Sequence, residues 1–129
     1  MILRVLVAVL LTASVAYAGS AELAWDPYTP PADFKEFRVY RGTMSCNVQG
    51  PLAPLVINNM AVVLPKPASG PVPTGFLDTT VPNIEGDVCY EVSAADNTGN
   101  EGRSNRATKR VDFIPPQAPT GLTVKNVTP

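Results

Sequence analysis

The segment Val88-Cys89-Tyr90-Glu91-Val92-Ser93-Ala94 constrains the fold more than any other part of the chain. Val88, Tyr90, Val92 and Ala94 occupy every second position, and Cys89, Glu91 and Ser93 fill the gaps. A period of two puts the first set on one face of an extended strand and the second set on the other. Directly afterwards, Asp96-Asn97-Thr98-Gly99-Asn100-Glu101-Gly102 concentrates residues that reverse a chain. The same pattern recurs elsewhere. Ala21-Glu22-Leu23-Ala24-Trp25 alternates, with Leu23 and Trp25 on one face, until Asp26-Pro27 stops it. Phe37-Arg38-Val39-Tyr40-Arg41 alternates up to Gly42. Gly75 to Val81 is a further strand, and Asn105 to Ile114 returns as the next. Pro51 to Pro73 is proline-rich but carries two apolar runs, Leu55-Val56-Ile57 and Ala61-Val62-Val63-Leu64. These are expected as a short edge strand and a loop packed on the sheet, because proline is tolerated at an edge. Short alternating strands with turns between them predict an all-β, antiparallel sandwich.

Composition narrows the choice further. The chain has 129 residues, enough for one ordinary domain. Its fourteen prolines and nine glycines oppose a helical bundle. Ten Lys+Arg against eleven Asp+Glu leave a net charge of −1, so neither a basic nucleic-acid binder nor a polyanionic tail is expected. The sequence has no histidine, which removes the commonest general base, proton shuttle and metal ligand together.

Residues 1–18 read as an export signal. Arg4 supplies a positive start, Val5 to Leu11 form an apolar run, and Ala16-Tyr17-Ala18 is a small-x-small cleavage pattern. The run is marginal for a membrane anchor, since Thr12 and Ser14 interrupt it. After cleavage no membrane span is expected, and the compartment is secreted, periplasmic or cell-surface. Export matches the cysteine count. Cys46 and Cys89 are the two cysteines of the chain, and an oxidising compartment would pair them. A reactive thiol or metal pair would need a His partner or a CxxC motif, and the sequence has neither.

The ordered set Leu23-Ala24-Trp25-Asp26-Pro27, Phe37 to Gly42, Phe76-Leu77-Asp78-Thr79 and Tyr90 to Glu101 resembles a bacterial extracellular fibronectin type III domain over roughly residues 21–114. The resemblance implies that Trp25 is the core tryptophan of strand B, that Phe37 and Val39 lie on strand C, and that Val88, Tyr90, Val92 and Ala94 form the inward face of strand F. It also implies that Cys46, just beyond strand C, reaches Cys89 on the outer face of strand F. Val88 stands where the family usually has a tyrosine that bonds back to the preceding corner.

Under this resemblance residues 19–114 form the domain, and residues 115–129 are a proline-rich linker and tail. Gly19-Ser20-Ala21 is too short for a strand A. Yet Pro119-Thr120-Gly121-Leu122-Thr123-Val124-Lys125-Asn126-Val127 looks like one. The order becomes B-C-E-F-G-A. Only about five residues separate Ile114 from Thr120, a reach of at most roughly 18 Å. On one reading the tail enters a neighbouring copy, with Leu122, Val124 and Val127 as the donor residues. Docking in cis or a loose tail are the alternatives.

Little catalytic chemistry is legible. No Gly-x-Ser-x-Gly elbow, phosphate loop or dinucleotide fingerprint occurs, so no enzymatic activity and no cofactor are expected. Asp96, Asn97, Asn100 and Glu101 form an oxygen-rich loop, the candidate binding site of an alternative function. Arg103, Arg106, Lys109 and Arg110 form a basic cluster suited to an acidic partner or to the solvated face of an edge strand. The expected function is non-catalytic: a structural subunit that self-associates by strand donation or meets another extracellular protein. The alternative is a monomeric module binding a carbohydrate or a surface protein.

Overall fold

A computed structural model of the chain describes residues 17–47, 50–112 and 115–128. The strands follow in order as β1 (Tyr17–Ala24), β2 (Phe34–Gly42), β3 (Ala53–Pro54), β4 (Val56–Ile57) and β5 (Met60–Ala61). They continue as β6 (Val63–Pro65), β7 (Gly75–Pro82), β8 (Gly86–Asp96), β9 (Glu101–Arg103) and β10 (Ala107–Val111). No helix occurs among the described residues, so none is long and apolar enough to cross a membrane. All strand pairings are antiparallel.

The main sheet has β8 at its centre. β2 lies on one side of it, and β9 and β10 lie along the other. Residues directly opposite in such a ladder share a face. Phe37 meets Ala94, Val39 meets Val92 and Arg41 meets Tyr90, which is the inner face. Tyr40 meets Glu91 and Arg38 meets Ser93, which is the outer face. A second sheet pairs β1 with β7. The two sheets pack together where Ala21 and Val81 contact Val88, Tyr90 and Val111. Trp25 closes the other end of the core edge-on against Phe37, with ring centroids 5.4 Å apart.

Several boundaries differ from the expectation, each for a reason that lies in a partner strand. β1 begins at Tyr17 rather than Ala21, inside the segment read as the export signal, because β7 is equally long and pairs Tyr17 with Pro82 and Gly19 with Val81. The rest of that signal, residues 1–16, lies outside the described residues. β2 begins at Phe34 rather than Phe37. An irregularity between Phe34 and Glu36 lets both Phe34 and Phe37 turn into the core. The strand expected over residues 105–114 is shorter than that, and a separate short strand, β9, forms ahead of it at Glu101–Arg103, at the end of the expected turn. Ser104 bonds the backbone of Val92 in both directions, its N–H donating to Val92 O and its hydroxyl accepting from Val92 N–H. The expected strand begins only at Ala107 and runs to Val111. Phe113 and Ile114 lie outside the described residues.

Between Pro51 and Pro73 the chain is more ordered than a loop. β3 and β6 both pair with β2, and the β4–β5 hairpin protrudes between them. Its turn is Asn58-Asn59, with φ of 52° and 63°. Two successive left-handed residues are what a two-residue hairpin requires, and Asn tolerates that region best after Gly. Val39 holds the base of the hairpin: Leu55 N–H donates to Val39 O at 2.8 Å, and Val39 N–H donates to Val62 O at 3.3 Å. Val72 then returns to cover Phe34 and Phe37.

Candidate functional site

β1 has a partner on one edge only among the described residues. Trp25 N–H points toward β7, donating to Thr74 O at 2.9 Å. Alternation along the ladder turns the backbone groups of Glu22 and Ala24 the other way, to the unpartnered edge. Beside that edge a groove of about 690 Å³ runs between β1 and the β8–β10 side of the main sheet. Leu23, Trp25, Tyr28, Val92 and Ala94 contribute its apolar wall. These residues are only partly covered, and Tyr28 is 38% exposed. A closed sandwich covers the inward residues of both sheets. Among the described residues the core is open along this side.

The β10 edge is guarded against strand addition. At β10 the exposed Lys109 lies opposite Val88 and therefore on the inner face, where a charge opposes an added strand. Ala21 and Leu23, the inward residues at the β1 edge, carry no such charge.

The expected donor residues lie on the tail, and the tail is not in this groove. Residues 115–128 form no strand and are exposed throughout. Leu122 is 95% exposed, Val124 79% and Val127 86%.

The Asp96–Gly102 loop is turned inward on itself. The Asp96 carboxylate accepts four hydrogen bonds, from the backbone and side chains of Thr98 and Asn100. Those bonds, Asn100's above all, lower its pKa to about 2. Asn97 N–H donates to Asp33 O. Glu101 belongs to a different network, on the outer face. It accepts from the Tyr40 and Ser93 hydroxyls and pairs with Arg38 at 3.5 Å and Arg103 at 3.8 Å. No group of three acidic, Cys or His residues that could hold a metal occurs among the described residues.

The basic cluster is largely neutralised within the fold. Arg103 and Arg106 both pair with Glu91, at 2.8 and 3.0 Å. Arg110 pairs with Glu85 and Asp87. The Arg103 guanidinium also stacks 3.9 Å above the Tyr40 ring. Cys46 and Cys89 form a disulfide with Cα atoms 5.2 Å apart, on the outer face beneath Tyr40 and Leu52.

Asp78 is the residue that the sequence pattern did not single out. Its side chain has no solvent exposure and sits between the sheets, accepting from Tyr90, Thr80 and Arg41. Burial alone would push its carboxyl up, but hydrogen bonds from Tyr90, Thr80 and Arg41 hold it below the ordinary range. The signal was an acid at a core-facing position of an alternating strand, two residues from Phe76.

No protein-family model, no curated protein and no solved structure matches the chain.

Proposed function

We propose that this chain is an exported, non-catalytic subunit that assembles head to tail, the C-terminal segment of one copy completing the sandwich of the next. One conjunction carries the proposal. The same molecule has, among its described residues, an open strand edge over a half-covered apolar core and an exposed tail bearing Leu122, Val124 and Val127. A strand added to β1 would cover Leu23 and Trp25 and pair the free backbone groups, which is β-augmentation.

A fibronectin type III-like arrangement fits the pairings. β1 and β7 correspond to strands B and E, and β10, β8 and β2 to strands G, F and C. The edge of β1 is then the place of strand A. The disulfide fits an oxidising, extracytoplasmic compartment.

Polarity favours a neighbour over the chain itself. β10 ends at Val111, opposite Gly86, at the pole where β1 begins. A strand antiparallel to β1 enters from the Trp25 pole. Self-insertion would need residues 112–119 stretched over roughly 27 Å merely to return along the eight-residue β1. A copy stacked on the exit pole needs no such return. The contact is heterologous and does not close, so it propagates as a chain of subunits.

The test is mass against concentration for the full chain and for a variant lacking residues 115–129. Multimers that grow with concentration and vanish on truncation are expected. A full chain that stays monomeric, or multimers indifferent to the truncation, would overturn the proposal.

A further inference from the structure

The acceptor edge and the donor tail carry complementary, unsatisfied charges. Lys125 is the single charged residue of segment 115–129. Glu22 lies on the outward face of β1, in the wall of the groove. Both are exposed, and neither has a hydrogen bond or ion pair among the described residues. Several other carboxylates of the fold are engaged, Asp78, Glu91, Asp96 and Glu101 among them.

Resting on the assembly just proposed, we infer that a Lys125–Glu22 pair sets the register of the joint between copies. Leu122 and Val124 must face inward to cover the core, so Thr123 and Lys125 face outward. Along β1 and its continuation to Trp25 the inward residues are Ala21, Leu23 and Trp25, and the outward ones are Glu22 and Ala24. In an antiparallel pairing, Lys125 opposite Glu22 puts Thr123 opposite Ala24. It also puts Val124 opposite Leu23 and Leu122 opposite Trp25. The register that joins the charges is thus the one in which the two large apolar residues of the tail flank the two half-covered apolar residues of the edge.

Neighbouring registers lose both benefits. A slip of one residue turns Leu122 and Val124 to solvent. A slip of two in one direction moves Leu122 off Trp25 to Pro27, past the Asp26-Pro27 stop. In the other direction it sets Lys125 against Ser20 and leaves Trp25 facing Thr120. The backbone agrees with the chosen register. Glu22 and Ala24, whose N–H and C=O groups face the free edge, become the hydrogen-bonded positions. Leu23 and Trp25 fall at the closer, non-bonded positions where side chains approach best. Strict alternation turns Val127 outward in this register, so Leu122 and Val124 are the anchors and Val127 is not.

Charge reversal tests the register apart from the assembly. Each of Lys125→Glu and Glu22→Lys is expected to weaken association about three- to ten-fold, and the double variant to return within about two-fold of the parent. Val124→Asp should abolish association, while Val127→Asp should leave it nearly unchanged. Two cysteine variants, Thr123→Cys and Ala24→Cys, should cross-link when mixed and oxidised, whereas Thr123→Cys with Glu22→Cys should not. If truncation of residues 115–129 still abolishes multimers but Lys125→Glu associates like the parent, or is rescued by Asp26→Lys, the register is wrong and the donation stands. If truncation changes nothing, both fall.

Discussion

The Tyr90 hydroxyl donates a 2.7 Å hydrogen bond to Oδ2 of Asp78, a carboxylate with no solvent exposure. Tyr90 comes from β8 and Asp78 from β7, so the bond ties the two sheets together at the end of the core away from Trp25. Arg41 of β2 completes the tie with a 2.9 Å contact to the same oxygen. Asp78 also lies opposite Ala21 on β1, so the network supports the strand whose far edge is open.

Loss of either partner should therefore weaken the whole fold. Asp78→Ala leaves the partly exposed Arg41 without its counter-ion, and a cost of about 2–4 kcal/mol is expected. Tyr90→Phe removes one donor from a buried carboxylate and should cost about 1–2 kcal/mol. Urea unfolding of the truncated chain, which excludes any contribution from assembly, measures both. A loss below about 0.5 kcal/mol for Asp78→Ala would show that the network does not hold the sheets together.

Acid should expose the same residue. Asp78, Glu91 and Glu101 all titrate below their ordinary values in the folded chain. A depressed folded pKa contributes stability that is fully present above the unfolded value and is lost as pH falls through the folded value. The unfolded carboxylates titrate near 4, so stability should begin to fall below about pH 5 and keep falling toward pH 2. Asp96 contributes over the same window and carries the loss to its lower end, since its folded value is about 2. Asp78→Asn should flatten the acid limb as well as lower it. Parallel curves for parent and variant would mean that another carboxylate dominates.

The disulfide makes a separate contribution. It joins residues 43 apart in sequence, a loop whose closure is worth on the order of 4 kcal/mol in the chain-entropy model. Cys89 is fully buried, so reductant should act slowly on the folded chain and rapidly once it opens. The paired Cys46→Ser, Cys89→Ser variant should lower the urea midpoint without a large change in slope. An unchanged midpoint would assign the stability elsewhere.

Trp25 reports on the groove directly. It is the one tryptophan of the chain, partly covered, with its indole N–H donating to Pro73 O at 3.0 Å. Addition of a strand beside Leu23 would exclude water from its ring. Emission should shift to shorter wavelength and resist iodide quenching as concentration rises, and the chain lacking residues 115–129 should show neither change. A spectrum independent of concentration while multimers form would place the contact elsewhere.

Much of the fold is a local property of the residues. The Val88–Ala94 alternation sorts its side chains to two faces unaided, because the period of an extended chain needs no partner. Asp96 to Gly102 makes its own turn, since Asp96 bonds Thr98 and Asn100 within reach. The pairing of Cys46 with Cys89 followed from their being the two cysteines of the chain. Asn58-Asn59 carries a local hairpin signal, but the prolines on either side of it give the segment the composition of a loop.

What residues far apart do to one another had to come from the tertiary structure. Asp78 is an ordinary strand acid until Tyr90 and Arg41 converge on it. Glu91 looks like a free outward carboxylate until Arg103 and Arg106 are folded over it. The start of β1 depends on how much of β7 there is to pair with. Leu122 and Val124 have the alternation of a strand, but alternation only assigns faces. A backbone edge becomes part of a sheet when another edge satisfies its N–H and C=O groups, and that is a relation between segments rather than a property of either.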